Sequence, residues 1–280
     1  NHQQEVTFFN HTWLQPSVIT RVKGTGPNEN EIVILGAHED SIYNGARGRA
    51  PGADDDGSGT ATLMEVFRVL MHSKDFRPKR TLEFHTYAGT VSLAIDDDDR
   101  LSSKSLFTFA IFKTKKAEEV GNRGSQQIAD AYKKEGVVVA GMMQLDMTAY
   151  VRPGTEPVIA VIEDYVSVPL SKFVAQLAAV YSNIPSKPSK CGYGCRYVHH
   201  HHSYGPTLFC CSPINFVYPL RDHASWTKAG YPSSHPFEAL EGNENPSIHT
   251  PNDVLDKLQM EHAIEFANVA LGFMVELSLA

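Results

Sequence analysis

The stretch EIVILGAHEDS, residues 31–41, joins an apolar run directly to a group of polar side chains. Residues 31–36 form a short apolar run bounded by turn residues, a pattern that predicts a buried β-strand. His38 and Asp40 follow immediately after that strand. In sheets of parallel strands, functional sites collect in the loops at the carboxyl ends of the strands. The stretch therefore predicts a buried sheet and also the edge of that sheet at which a site would lie.

Strands and helices alternate along the chain. Further strands are predicted at residues 80–87, 137–145 and 157–162, and helices at 58–70, 125–134, 171–181 and 258–277. This alternation is typical of an α/β fold in which a mostly parallel, mixed sheet is covered by helices on both faces, a three-layer αβα sandwich. No internal repeat or linker divides the sequence, so we expect a single domain over residues 1–280.

The composition of the chain argues against some classes of binding partner. The chain has 280 residues, of which 42% are hydrophobic, enough to bury a large core. A net charge of −7 argues against a general affinity for nucleic acid or for an anionic membrane surface. No apolar run approaches the roughly 20 residues of a membrane-spanning helix. No signal peptide is visible at Asn1, so the protein is either cytosolic or begins at a processed N-terminus.

A second polar stretch, APGADDDGSG at residues 50–59, places three carboxylates side by side. Adjacent negative charges repel, so the fold must compensate for holding them together. Imidazole and carboxylate groups from separate strand ends are the ligands that zinc prefers. Two metal ions about 3.5–4 Å apart share a bridging ligand. One of the three aspartates could bridge two ions while its neighbours accept backbone hydrogen bonds. Further candidate ligands lie at Glu118, Glu119, Asp146 and His249.

Each of these features has a simpler interpretation when it is taken alone. A single His38 is more often a surface or core histidine than a ligand. Asp56 could be a helix N-cap, and Glu118 and Glu119 could stabilise the N-terminal end of a helix. Cys191 and Cys195 could form a small disulfide loop or remain free thiols. It is the joint placement of the polar groups at strand ends that favours a metal site.

Seven motifs in order along the chain resemble the M28 metallopeptidases. They are GAHEDS (36–41), APGADDDGSG (50–59), AEEVGNRGSQ (117–126), QLDMTAY (144–150), CGYGC (191–195), DHASWTKAGYP (222–232) and NPSIHTPND (245–253). The resemblance is strongest to the secreted leucine aminopeptidases of fungi and marine bacteria. CGYGC and DHASW favour aminopeptidases over carboxypeptidases and glutaminyl cyclases of the same fold. The resemblance implies the zinc-peptidase version of the αβα sandwich.

The resemblance also implies a site with two zinc ions. His38 and Asp146 would bind the first ion, Glu119 and His249 the second, and Asp55 would bridge both. Asp56 would follow Asp55 across a cis peptide bond.

Two further carboxylates have implied roles in the same site. Asp40 would orient the His38 ring. Glu118 would act as general base, taking a proton from a metal-bridging water and giving it to the leaving amine.

Substrate contacts follow from the same resemblance. The implied substrates are peptides with a free N-terminus that carry leucine or another apolar residue there. Tyr193 would help to hold the scissile carbonyl, and Met147, Phe237 and Ile248 would line an apolar pocket for the N-terminal side chain.

Further implications concern processing and location. A Cys191–Cys195 disulfide, secretion, and a mature form derived from a zymogen are implied. Asn10, in the sequon Asn10-His11-Thr12, is a candidate glycosylation site. We expect a monomer, with no nucleic acid or membrane partner.

Two stretches, residues 89–116 and 196–221, depart from the family pattern. The first separates Glu118 and Glu119 from the strand that they follow directly in the family. Residues 96–99 (four aspartates) and 199–202 (four histidines) could bind ions, or both stretches could be loops that reshape the cleft. The interpretation we favour is that they are translated introns. If both stretches are present in the protein, we expect weakened activity, and the alternative function is a catalytically impaired or non-catalytic protein of the M28 fold.

Overall fold

The structure is a computed structural model that describes residues 3–13, 15–43, 48–88, 122–190 and 221–280. These residues form nine strands: β1 Gln4–Phe9, β2 Ser17–Val22, β3 Glu31–His38, β4 Thr81–Tyr87, β5 Val138–Gln144, β6 Ile159–Ile162, β7 Ser186–Ser189, β8 Ser233–Ser234 and β9 Pro236–Phe237. They also form five α-helices: α1 Gly57–His72, α2 Arg123–Glu135, α3 Val168–Tyr181, α4 Asp222–Ala229 and α5 Met260–Leu279. A 3-10 turn spans Leu255–Lys257.

The central sheet has the strand order β1-β2-β4-β3-β5-β8. Strands β4, β3, β5 and β8 are parallel, whereas β1 and β2 extend the sheet in antiparallel fashion. The mostly parallel, mixed sheet that the sequence predicts is therefore present. The predicted strand at 157–162 forms as β6, but it lies in a smaller sheet of order β7-β6-β9. Only His235 separates β8 from β9, so the chain passes directly from one sheet to the other there.

Helices cover both faces of the central sheet. On one face, α1, α3 and α5 pack against alternate residues of β3, including Val33 and Leu35. On the other face, α2 and α4 pack against Ile32 and Ile34. Because successive residues of a strand point to opposite faces, a continuous apolar strand such as β3 is buried on both sides. The predicted three-layer αβα sandwich is confirmed.

Helix α5 is the longest helix in the described part of the chain. By length and mean hydropathy (1.2) it could cross a membrane, so the expectation that no segment approaches a span is too strong. Within this fold, 44% of an 18-residue apolar segment of α5 is buried, and α5 packs against α1 and α3. Phe266, Phe273 and Met274 of α5 are almost completely buried in the core. In this fold α5 therefore serves as a core helix.

The carboxyl ends of β3 and β5 lie side by side. Gly36 of β3 pairs with Gln144 of β5, and the carbonyl of Gly36 accepts a hydrogen bond of 2.7 Å from the N–H of Leu145. His38 at the end of β3 and Asp146 just after β5 therefore come together, although 108 residues separate them (146 − 38). The triple aspartate at 54–56 leads into α1 beside the same edge.

Candidate metal centre

Four of the five predicted metal ligands converge at this edge of the sheet. The Nε2 atom of His38 lies 3.2 Å from Asp55 Oδ1 and 3.9 Å from Asp146 Oδ1. The Nε2 atom of His249 lies 3.0 Å from Asp55 Oδ2. His38, Asp55 and Asp146 each offer a ligand atom, and these atoms lie within 4.8 Å of one another. The two oxygens of Asp55 thus face two different imidazoles.

This donor set fits zinc, which binds imidazole nitrogens and carboxylate oxygens. His38, Asp55 and Asp146 are at least 96% buried, so their donor atoms are held by the fold and not by water. Burial raises the pKa of Asp55, but hydrogen bonds with His249 and His38 outweigh burial and hold that pKa well below its ordinary value. Asp55 is therefore a carboxylate, the form that binds a cation.

Asp40 lies beside the other nitrogen of the His38 ring. The Nδ1 atom of His38 is 3.3 Å from Asp40 Oδ1 and 3.1 Å from the backbone carbonyl of Asp40. Contacts of this kind fix the orientation of a ligand imidazole. They leave Nε2 directed at Asp55 and Asp146.

The carboxylate of Asp56 holds three segments of the site together. Its Oδ2 accepts a hydrogen bond of 2.9 Å from the N–H of His38, and its Oδ1 accepts from the N–H groups of Gly59 (3.0 Å) and Met147 (3.2 Å). The bond to Gly59 makes Asp56 the N-cap of α1, so this simpler interpretation is correct for Asp56. The Asp55–Asp56 peptide bond is cis, as predicted.

Two acidic residues that the sequence reasoning missed support the triple aspartate. Asp253 accepts hydrogen bonds from the N–H groups of Asp54 (3.0 Å) and Asp55 (3.2 Å). Glu238 is fully buried beside Asp54 and forms a side-chain hydrogen bond with it. Burial raises the pKa of both groups, that of Asp54 to about 6. Asp253 is the last residue of the motif NPSIHTPND, but nothing in the sequence indicates that it binds backbone amides, and Glu238 lies in none of the seven motifs.

Two residues at the site have backbones in the left-handed region. Met147 has φ of 62° and His249 has φ of 60°. A non-glycine residue in this conformation is strained, and such residues cluster at functional sites. Met147 follows the ligand Asp146 directly, and the same residue packs in a small apolar cluster with Phe237 and the partly buried Ile248. The structure therefore brings the three predicted pocket residues together beside the metal ligands.

Several predicted residues lie outside the described part of the chain. They are Glu118, Glu119, Tyr193, Cys191 and Cys195, together with residues 89–116 and nearly all of 196–221. Of the second departing stretch, Arg221 is described, and its guanidinium forms a buried ion pair with Asp146. Asn10 is described and exposed, as a glycosylation site must be.

Comparison with known proteins gives consistent matches. The sequence profile of Peptidase family M28 matches residues 17–89 and 107–274. Leucine aminopeptidase 1 of Fusarium vanettenii is 36% identical over 278 residues, which cover 96% of this chain and 57% of that protein. The crystal structure of the LapA aminopeptidase of Legionella pneumophila has a TM-score of 0.74 at 30% identity, covering 99% of this chain and 59% of that one. A zinc aminopeptidase from Bacillus subtilis (TM-score 0.65, 20% identity, covering 95% and 50%) shares the fold. The chain thus spans less than two thirds of the length of these relatives.

Proposed function

Because the chain belongs to peptidase family M28, we propose that it is a di-zinc aminopeptidase that removes N-terminal leucine and other apolar residues from peptides. Its substrates would be peptides with a free N-terminus. Residues 1–280 would form its catalytic domain. The names of the relatives support this choice within the family, since both the Fusarium and the Legionella proteins are aminopeptidases.

The observation that carries the proposal is the position of Asp55 between two imidazoles. One of its oxygens faces His38 and the other faces His249. A carboxylate that offers one oxygen to each side is suited to bridge two cations. His38 and Asp146 would hold one zinc ion, and His249 with Glu119 would hold the other. When bound, the ions supply Lewis acidity at the scissile carbonyl and favour ionisation of the attacking water.

Other residues of this chain would manage the proton and the substrate. Glu118 would take the proton from the attacking water and deliver it to the leaving amine. Tyr193 would help to hold the scissile carbonyl. The apolar cluster of Met147, Phe237 and Ile248 would accept the N-terminal side chain, since apolar side chains bind most favourably in apolar pockets.

We further propose that the protein is secreted, contains the Cys191–Cys195 disulfide, carries a glycan at Asn10, is made as a zymogen and is a monomer. The exposure of Asn10 supports the glycan. Mass spectrometry of the native protein tests the disulfide, the glycan and the processing, and sedimentation analysis tests the monomer.

A catalytically impaired protein of the same fold is the second candidate. The observation that favours it is the ion pair between Arg221 and Asp146, because Arg221 belongs to a stretch that departs from the family pattern. A cation from the protein itself at a metal ligand is an obstacle to metal binding.

The decisive experiment is hydrolysis of a leucine arylamide by the chain as it stands, before chelation, after chelation and after zinc is returned. Metal analysis of the same samples gives the zinc content. Activity that disappears on chelation and returns with zinc is expected, whereas Asp55→Asn should remain inactive throughout. Zinc binding without turnover would favour the impaired protein, and failure to bind zinc at all would refute the metal centre.

A further inference from the structure

Arg221 occupies a buried position between the metal ligands and the apolar cluster. It lies immediately before α4, with its backbone carbonyl accepting a hydrogen bond of 3.0 Å from the N–H of Ala224. The residue is only 8% exposed. An arginine is seldom buried to this degree unless it is paired, so its partners indicate what the side chain does.

The guanidinium of Arg221 contacts Asp146, Met147 and Phe237. Its Nη1 donates to Asp146 Oδ1 in a close ion pair. Its Nη2 lies 3.6 Å from the sulfur of Met147, and its Cζ lies 5.1 Å from the centroid of the Phe237 ring, within the range of a cation–π contact. The guanidinium is therefore fixed from three sides and does not simply extend towards solvent.

The oxygen that Arg221 holds is the one directed at the metal site. Asp146 Oδ1 lies 3.9 Å from His38 Nε2. Zinc binds such nitrogen and oxygen atoms at about 2.0–2.2 Å, so an ion between His38 and Asp146 would lie close to the guanidinium. Two cations at such a short distance in a buried site would repel each other strongly, and Asp146 Oδ1 would have to interact with both of them.

We propose that Arg221 is an internal competitor for the metal ion held by His38, Asp55 and Asp146. This inference rests on the proposed metal centre. Zinc would bind there with full affinity only when the guanidinium of Arg221 releases the carboxylate of Asp146. A second ion, held by His249 and Asp55, would not be subject to the same competition.

The burial of Asp146 explains why Arg221 would pair with it when no ion is bound. Asp146 is fully buried, and its Oδ1 accepts a hydrogen bond from Arg221 Nη1. Buried carboxylates without a counter-charge are costly. The planar guanidinium suits a carboxylate well, so Arg221 stabilises the metal-free form by the same contact that opposes metal binding. Removal of its charge should therefore have opposite effects on the two forms.

The test is zinc titration against a chromophoric chelator, combined with thermal unfolding, on the 280-residue chain and three variants. Arg221→Gln and Arg221→Met both remove the charge, and Arg221→Met also keeps apolar bulk beside Phe237. Arg80→Gln is the matched control, because Arg80 forms an ion pair of 2.6 Å with Glu31 at the opposite end of β3.

Arg221→Gln should bind the weaker of two zinc ions at least tenfold more tightly than the parent chain. Without zinc, the melting temperature of Arg221→Gln should be lower than that of the parent chain. Addition of zinc should raise it by more than it raises the melting temperature of the parent. Arg80→Gln should bind zinc like the parent. Equal affinity of the parent and Arg221→Gln for both ions would overturn the competition and leave the metal centre standing, whereas failure of every variant to bind zinc would refute the centre itself. If Arg221→Gln does not fold without zinc, Arg221→Met decides, since it also removes the charge: tighter binding than the parent supports the proposal, and equal binding overturns it.

Discussion

The carboxylate of Asp253 accepts a hydrogen bond of 3.2 Å from the backbone N–H of Asp55, which lies 198 residues earlier in the chain. The other oxygen of Asp253 accepts from the N–H of Asp54 at 3.0 Å. Asp253 thus fixes the backbone that carries the central carboxylate. Loss of a side chain that orients a metal ligand in this way typically lowers metal affinity by about 10–100-fold.

Asp253→Ala should therefore weaken zinc binding by about 10–100-fold. It leaves two buried N–H groups without acceptors, so Asp55 loses its fixed orientation. Chelator competition measures the affinity. Asp256→Ala, at an exposed position three residues later, is the control and should change little. Unchanged affinity in Asp253→Ala would show that the loop holds Asp55 without this contact.

Gly59 is required by the close approach of α1 to the end of β5. A Cβ atom at Gly59 would lie 2.6 Å from the backbone carbonyl of Leu145 and would also clash with Asp56 Oδ1. Intrinsic helix propensity favours alanine over glycine by roughly 1 kcal/mol. The steric effect should prevail because the backbone of Leu145, directly after β5, is buried and held by its hydrogen bond to Gly36. Gly59→Ala should lower the free energy of unfolding by about 1–3 kcal/mol, as overpacking does.

Urea unfolding measures this change, and zinc affinity should fall together with stability. Met64→Ala, on the exposed side of the same helix, tests helix propensity alone and should leave both quantities nearly unchanged. A stabilised Gly59→Ala would mean that the start of α1 can shift without cost.

The sequence predicts strands and helices best where apolar periodicity is strong. Strand β3 and helix α1 were predicted within two residues at each end because one is continuously apolar and the other has helical spacing. Strand β1, whose residues are mostly exposed, and helix α4 lack such patterns and were not predicted. Pairing with β2 and packing of Trp226 of α4 against the sheet form these elements. Such contacts join distant residues and leave no local signal.

The residues of the candidate site likewise divide into those that the sequence indicates and those that it does not. His38, Asp146 and His249 could be found because imidazoles and carboxylates follow predicted strands or lie in recognisable motifs. Asp253 and Glu238 could not, because their roles depend on backbone amides and on a carboxyl partner that only the folded chain supplies. Arg221 is a further case, since nothing in its sequence neighbourhood indicates that it would reach Asp146.

Glu83 lies at the centre of a buried polar cluster away from the metal site. Its carboxylate accepts from Arg21 (2.6 Å) and Tyr132 (2.8 Å) and lies 2.8 Å from His85 Nε2. Burial raises the pKa of Glu83, but the contacts with His85 and Arg21 outweigh burial and lower it below the ordinary value of 4.5. Arg21 is partly exposed, so the main cost of removing the carboxylate is that the buried groups of Tyr132 and His85 lose a charged partner, which costs about 1–3 kcal/mol. Glu83→Gln should therefore be destabilised by about this amount at pH 7.

The pH dependence follows from the direction of the shift. A lowered pKa means that the stabilisation is fully present above pH 4.5 and is lost as the pH falls through the pKa of the folded state. The difference in unfolding free energy between the parent and Glu83→Gln should be constant from pH 7 to about 5 and shrink at lower pH. Glu65→Gln, which removes an exposed ion pair with Arg68, should leave stability nearly unchanged. A difference that did not change with pH would contradict the ionised state of Glu83.

Ile248 provides a test of the proposed substrate pocket. It is partly buried, packs against the cluster that contains Met147 and Phe237, and directly precedes His249. A larger side chain at this position should reduce the room for leucine more than for alanine. Each methylene in such a pocket is worth about 1–3 kcal/mol, so Ile248→Phe should lower the ratio of kcat/KM for leucine over alanine arylamide at least tenfold.

Two controls separate pocket shape from damage to the metal site. Zinc affinity of Ile248→Phe should match that of the parent chain, because the substitution retains an apolar side chain and leaves His249 in place. Val168→Phe adds similar bulk at an exposed position of α3 and should leave the substrate ratio unchanged. An equal loss of kcat/KM for both arylamides, with zinc still bound, would mean that Ile248 does not contact the N-terminal side chain. The pocket would then have to be sought on another side of the metal ligands.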